Sequence, residues 1–272
     1  MQGLLASLTA FKREKVGYIQ DKLMSELFEE LTQVLEDEKG VALATVVRGA
    51  EHIGSKLIVF PDKTTRGTLG NEQLDAQVIE DAEHAIWNAN ASIYTYTLPT
   101  EQTIDIFIEG FPPPPELLII GAGHIAIPLT TIAKTLQYRV VVIDARATFA
   151  TPERFPNADE LVVAWPDEVL QKMQLYPSTS IAVLTHDPKF DEPSLKVALA
   201  SKAGYVGAIG SRKTGVERAG RLLQQGLTQE QVDRIHGPIG LSIGAATPEE
   251  IALAIMAEIV AFRHDKHLVV KK

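Results

Sequence analysis

The chain of 272 residues contains no cysteine. That one absence excludes a disulfide framework, thiolate zinc sites, iron–sulfur ligation and any thiol or persulfide chemistry carried by these residues. A basic excess is lacking too: 26 Lys and Arg stand against 35 Asp and Glu, for a formal charge of −9. Nonspecific nucleic-acid binding is driven by basic surface, so it is disfavoured, although a local basic pocket is not. No apolar run reaches the ~18–20 residues needed to span a bilayer. The apolar start MQGLLASLTAF is short, and its basic residues Lys12, Arg13 and Lys15 follow the apolar part, whereas a signal peptide has them first. The expectation is a cytoplasmic protein. The seven histidines form no H-x-x-x-H pair, there is no tight carboxylate cluster, and no serine sits in a G-x-S-x-G elbow. No metal site and no hydrolase triad are expected, and no catalytic residue is assigned.

What is present is ample apolar content, 45%, interrupted at FPPPPE, Phe111 to Glu116. Four consecutive prolines can continue neither a helix nor a sheet ladder. They divide the chain into a smaller α+β domain (1–111), a proline linker (112–115) and a second domain (116–272). In the first, Leu23, Leu27, Leu31 and Leu35 recur every four residues across a predicted helix at 19–38. VALATVV and KLIVF read as strands and NEQLDAQVIEDAEHAIW as a helix. SIYTYTL and TIDIFIEG, separated by Pro99 to Gln102, read as a hairpin.

Beyond the prolines, strands and helices alternate, which predicts a parallel sheet covered on both faces. ELLIIG, YRVVVID, ELVVAW, TSIAVLT and YVGAIGS are the strands. A last helix is announced by Thr247 as N-cap, Pro248 at the first helical position and Glu250 closing a capping box. The overall class is α/β, a Rossmann-like parallel-sheet domain preceded by a smaller α+β domain.

The most informative stretch is LLIIGAGHIA, Leu117 to Ala126. Gly121-x-Gly123-x-x-Ala126 leaves a strand and opens a helix, and Asp144 ends the next strand. Both parts match the dinucleotide fingerprint. Gly121 makes the tight turn and Gly123 lets backbone approach a phosphate. Ala126 lets helix and sheet pack closely, and the helix N-terminus offers free N–H groups. Asp144 is placed to accept from a ribose hydroxyl, and Arg146 leaves room for a phosphate there instead. His124 stands beside the turn. His186 and Asp187, and Ser211 and Arg212, fall where later strands end on the same rim. His236 opens the glycine-bracketed loop HGPIG. Each of these polar residues also has an ordinary structural reading, Ser211 as an N-cap and Arg212 as a solvated helix residue among them. The candidate ligands are a nucleotide such as NAD and other phosphate-bearing cofactors.

Together, IIGAGHIA, VIDARATFATPERFP, LTHDPKFDEPSL, YVGAIGSRKT and RIHGPIGLSIGAATPEEIALAIMAEI resemble the xanthine dehydrogenase accessory protein family (XdhC/CoxI). In the first half, GVALATVVRG and GTLGNEQLDAQV resemble its N-terminal module. The resemblance implies a chaperone that holds molybdenum cofactor (molybdopterin), shields it while sulfur is added, and delivers it to a molybdenum hydroxylase apoenzyme. It implies that apoenzyme and a sulfurase as partners, with the chain a homo-oligomer. Many relatives carry a Gly-Gly-Cys-x-Glu type segment. Here the corresponding stretch, Gly70-Asn71-Glu72-Gln73-Leu74-Asp75, puts Gln73 in the cysteine's place and Asp75 in the acid's. Gly67, Gln73 and Asp75 are the N-terminal candidates. An NAD(P)-dependent oxidoreductase and a nucleotide-responsive interaction module are the alternatives.

Overall fold

A computed structural model of the chain describes residues 25–99, 101–185 and 187–264. Residues 19–24 of the first predicted helix, the N-terminal apolar segment and His186 lie outside the described residues. The chain divides into two compact units between Pro113 and Pro114.

The first unit opens with a helix, α1 (25–36). Strands β1 (Val41–Arg48), β2 (Lys56–Val59) and β3 (Thr65–Thr68) follow, then helix α2 (Glu72–Asn88) and strands β4 (Ala91–Thr97) and β5 (Thr103–Phe111). The five strands form one antiparallel sheet in the order β3-β2-β1-β5-β4. Side chains alternate across a strand, and both faces are used. Ala42, Ala44 and Val46 of β1 join Ile104, Ile106 and Ile108 of β5 beneath Leu74, Val78, Ala82 and Ile86 of α2. Val41 packs on the other face with Ile58 and with Leu27 and Leu31 of α1. The β4–β5 pair is the hairpin expected from SIYTYTL and TIDIFIEG, with Thr97 opposite Thr103.

The second unit runs β6 (Glu116–Ile120), α3 (Ala126–Thr135), β7 (Arg139–Ile143), β8 (Glu160–Val162), α4 (Pro166–Leu170), β9 (Thr179–Val183) and α5 (Pro188–Ala200). It continues with β10 (Tyr205–Ala208), α6 (Arg212–Gln224), α7 (Gln229–Asp233), β11 (Ile235–His236) and α8 (Pro248–Arg263). The sheet order is β11-β10-β9-β6-β7-β8, and every pair is parallel. Counted from its own first strand this is the doubly wound order 3-2-1-4-5-6, whose topological switch point lies between β6 and β9. Leu117 and Ile119 of β6 pack on α3 and α8. Leu118 and Ile120 pack on the opposite face with Leu195 and Leu199 of α5. A sheet covered on both faces demands the unbroken apolar runs that the sequence carries.

Some expectations about extent change, and YVGAIGS is strand only over Tyr205–Ala208. The stretch ELVVAW is strand only over Glu160–Val162, because β8 is an edge strand; Val163 and Trp165 are exposed and Trp165 leads into α4. HGPIG is not all loop, since His236 ends a two-residue strand beside β10. Among the described residues no helix is long and apolar enough to cross a membrane.

Candidate functional site

The strand–turn–helix at Gly121 to Ala126 is built as its spacing predicts. Gly121 has φ +102°, and a Cβ there would stand 2.5 Å from Thr185 Cγ2. Its N–H donates to the carbonyl of Ile143 at 2.8 Å. Only glycine fits that turn. Gly123 needs no left-handed backbone, and a Cβ on it would meet nothing within 4 Å. Its missing side chain therefore leaves open space in front of the turn. Ala126 is fully buried and starts α3 against the sheet core. Among the described residues no side chain caps α3.

That open space belongs to a cavity of about 630 Å³ at the carboxyl ends of the central strands. The turn contributes Gly121, Gly123, His124, Ile125 and Ala126. Arg146 and Phe149 follow β7, and Leu184, Thr185, Asp187, Pro188 and Phe190 follow β9. This is the switch point, where open parallel sheets bind ligands.

Asp144 does not face this cavity as a free acceptor. It is 3% exposed. Oδ2 accepts from the Ala122 N–H at 2.8 Å and from Arg146 Nη2 at 2.7 Å; Oδ1 accepts from the Arg146 backbone N–H and Nε, each at 2.9 Å. Burial pushes the Asp144 carboxyl up, but the Arg146 side chain and the two backbone donors outweigh it and hold the group below the usual carboxylate range. In turn, the hydrogen bond to Asp144 raises the Arg146 guanidinium, with burial opposing. The guanidinium lies 4.3 Å from the Phe149 ring centroid and 5.7 Å from that of Phe190. Trp165 continues the aromatic rim, 5.1 Å from Phe190, with Lys189 Nζ 4.7 Å from its centroid.

Beneath the floor, the Thr185 hydroxyl donates to Asp191. Asp191 lies 3.5 Å from Arg218, whose Nη2 donates to the carbonyl of Ile209 at 2.7 Å. Burial depresses the Arg218 guanidinium, and Asp191 opposes that shift. This buried pair fixes Thr185, the residue that Gly121 must approach.

The remaining sequence candidates divide. Asp187 lines the cavity and also caps α5, accepting from the Lys189 N–H at 3.0 Å. Ser211 and Arg212 do not line it. Ser211 caps α6 through the Thr214 N–H at 3.1 Å, and Arg212 is an exposed first-turn residue. His236 does not line it either. It stacks on Tyr205 at 4.5 Å and sets Nδ1 3.5 Å from Glu258, which also accepts from the Tyr205 hydroxyl and the Gly240 N–H. Burial pushes Glu258 up, and those three partners more than reverse it.

In the first unit, Gly67 has φ +83°, and a Cβ there would stand 2.5 Å from the Lys56 carbonyl oxygen. Gln73 is exposed in the first turn of α2, its N–H donating to the N-cap Asn71. Asp75 accepts from the Thr68 hydroxyl at 2.7 Å and the Leu69 N–H at 2.8 Å, tying the end of β3 to α2. Among the described residues no group of three or more His, Asp or Glu side chains could hold a metal ion. Sequence reasoning missed Phe149, Thr185 and Phe190. Their signal was position, shortly after the ends of β7 and β9.

Residues 117–259 match the family model described as the XdhC Rossmann domain, and residues 34–97 match that of the XdhC and CoxI family. A probable xanthine dehydrogenase subunit of Bacillus subtilis (strain 168) is 34% identical over 173 residues, covering 63% of this chain and 50% of that protein. The molybdenum cofactor insertion chaperone PaoD of Escherichia coli (strain K12) is 31% identical over 90 residues, 33% of this chain and 28% of that protein. The chain thus spans half or less of the length of these two relatives. A crystal structure described as a xanthine dehydrogenase from Bacillus halodurans superposes with a TM-score of 0.51 at 21% identity. It covers 89% of this chain and 97% of that one, a likeness of fold.

Proposed function

Because this chain belongs to the XdhC and CoxI family, we propose that it is an accessory protein in the maturation of a molybdenum hydroxylase such as xanthine dehydrogenase, and that its Rossmann unit holds molybdenum cofactor or a related nucleotide by a phosphate. The observation that carries the ligand reading is the open space at Gly123, which a Cβ would fill, beside an uncapped helix start in a cavity of about 630 Å³. The residues present fit such a group. Backbone N–H groups of the turn and α3 meet a phosphate, Arg146 supplies a cation, and Phe149 and Phe190 supply apolar faces for a planar ring. Bound, molybdenum cofactor supplies oxygen-transfer and redox chemistry to its final enzyme. This chain's own residues bind, orient and cover it.

The chain has no thiol with which to ligate the metal or carry sulfur, so any sulfur added to the cofactor comes from a partner such as a sulfurase. The apoenzyme is the second partner proposed. Reading the protein as an NAD oxidoreductase needs Asp144 free for a ribose, and its oxygens are engaged. Native mass spectrometry of the protein purified from its own host tests the proposal. Retained molybdopterin is expected. A retained nicotinamide nucleotide, or a purified protein that takes up no molybdopterin when offered it, would count against it.

A further inference from the structure

We propose that Arg146, held in place by Asp144, determines what the Rossmann groove accepts, and that it selects a phosphate monoester over a ribose diol. This rests on reading the groove as a phosphate-ligand site, and it assigns the chemistry of the ligand end that is recognised.

The acid at the end of the second strand is spent inside the protein. An ionised carboxylate offers about four lone-pair sites, and Asp144 meets four N–H donors while almost wholly buried. No acceptor capacity is left for a ribose hydroxyl. The cation it holds is differently placed. A guanidinium carries five N–H groups. Arg146 commits one from Nε and one from Nη2 to Asp144 and lines the cavity. Arg146 Nη2 and the Ala122 N–H bond to the same oxygen, Oδ2, at 2.7 and 2.8 Å. The guanidinium edge therefore stands within two hydrogen-bond lengths of the glycine turn. Phe149 packs over the guanidinium at 4.3 Å and limits its freedom.

A planar fork already oriented beside a turn whose N–H groups bind oxyanions suits tetrahedral phosphate oxygens. A monoester carries close to two negative charges near pH 7, whereas a diol carries none. Asp187 lines the same cavity and opposes any anion, so the attraction must come from Arg146 and the turn. Two ligand classes share this chemistry: a 2′-phosphorylated dinucleotide and a pterin that ends in a phosphate.

NADP and NAD differ by the one group in question, and calorimetry on the full chain separates the cases. Wild type should bind NADP at least about tenfold tighter than NAD, the size of one charge-assisted hydrogen bond. Arg146→Gln should bring the ratio close to one, and Arg146→Lys, which keeps the charge but loses the fork, should fall between. Asp144→Asn should weaken NADP more than NAD, because Asp144 positions the arginine, while its bond to the Ala122 N–H of the turn serves both ligands alike. If that buried change prevents folding, the two Arg146 variants decide alone. Equal affinity for the two dinucleotides, a preference for NAD, or selective loss of NAD in Asp144→Asn overturns the assignment. Should wild type take neither dinucleotide, molybdopterin is the probe. A fall of about tenfold in Arg146→Gln then supports the proposal, while unchanged binding, or no binding of any of the three, overturns it. A chain that prefers NADP yet never carries molybdopterin would uphold Arg146 and sink the accessory role, so the two failures are distinct.

Discussion

Gly121 and Gly123 lie two residues apart in one turn, and substitution should separate their roles. Gly121→Ala puts a Cβ into the left-handed region and against Thr185. It should destabilise the Rossmann unit by roughly 1–3 kcal/mol, read by chemical denaturation. Gly123→Val adds a side chain whose Cβ meets no protein atom within 4 Å. Its melting temperature should stay within about 2 °C of wild type, while affinity for any phosphate-bearing ligand of the groove is lost. A folded Gly123→Val protein with unchanged affinity would remove the groove from consideration. The glycines were legible because their spacing is a backbone requirement, and backbone requirements are written locally. The partner of Asp144 was not. A strand-end acid followed two residues later by an arginine reads equally as a ribose ligand or as half of an ion pair. Only the side-chain directions decide, placing Arg146 across both oxygens.

At the scale of elements, the helix starts divide into capped and uncapped. Ser211, Thr247 and Asp187 each close their helix with a side-chain oxygen, while α3 begins without one. Ser211→Ala should therefore cost about 1 kcal/mol of stability and leave ligand affinity unchanged. An affinity loss without a stability loss would return Ser211 to the phosphate site. Long elements were readable for a physical reason. β6, β7 and β9 are central parallel strands buried on both faces, so each needs an unbroken apolar run. The Thr247–Glu250 capping box is likewise a local pattern. The five-residue helices α4 and α7 and the two-residue β11 are too short to show a period. ELVVAW misled because an edge strand need not bury what it carries. Phe149 and Phe190 escaped notice because aromatic residues shortly after strands read as ordinary core until the cavity shows them on its wall.

At the scale of the whole molecule, each cluster of buried apolar side chains among the described residues draws on one unit alone. Residues 116–272 made by themselves should fold cooperatively and keep the ligand affinity of the groove. A polypeptide that stays unfolded would move the boundary away from the prolines. Two buried or half-buried carboxylates contribute to its response to acid, beside the more exposed Glu153, Asp159 and Glu250. Asp144 and Glu258 both sit below their ordinary values in the folded protein, their hydrogen-bond donors outweighing burial. Unfolded, they titrate near about 3.9 and 4.3. A folded pKa below the unfolded one adds stability that is complete above the unfolded value and is lost as pH falls through the folded value. The melting temperature of the unit should thus be insensitive to these two groups between about pH 7 and 5 and fall below about pH 4. Asp144→Asn should melt lower than wild type at neutral pH, because the Ala122 and Arg146 donors lose their charged acceptor. It should also show a shallower acid slope, since one of the carboxylates held below its ordinary value is gone. A variant whose acid slope equals that of wild type would mean that the Asp144–Arg146 pair is not formed in solution. Arg146 would then not be held ready for a phosphate.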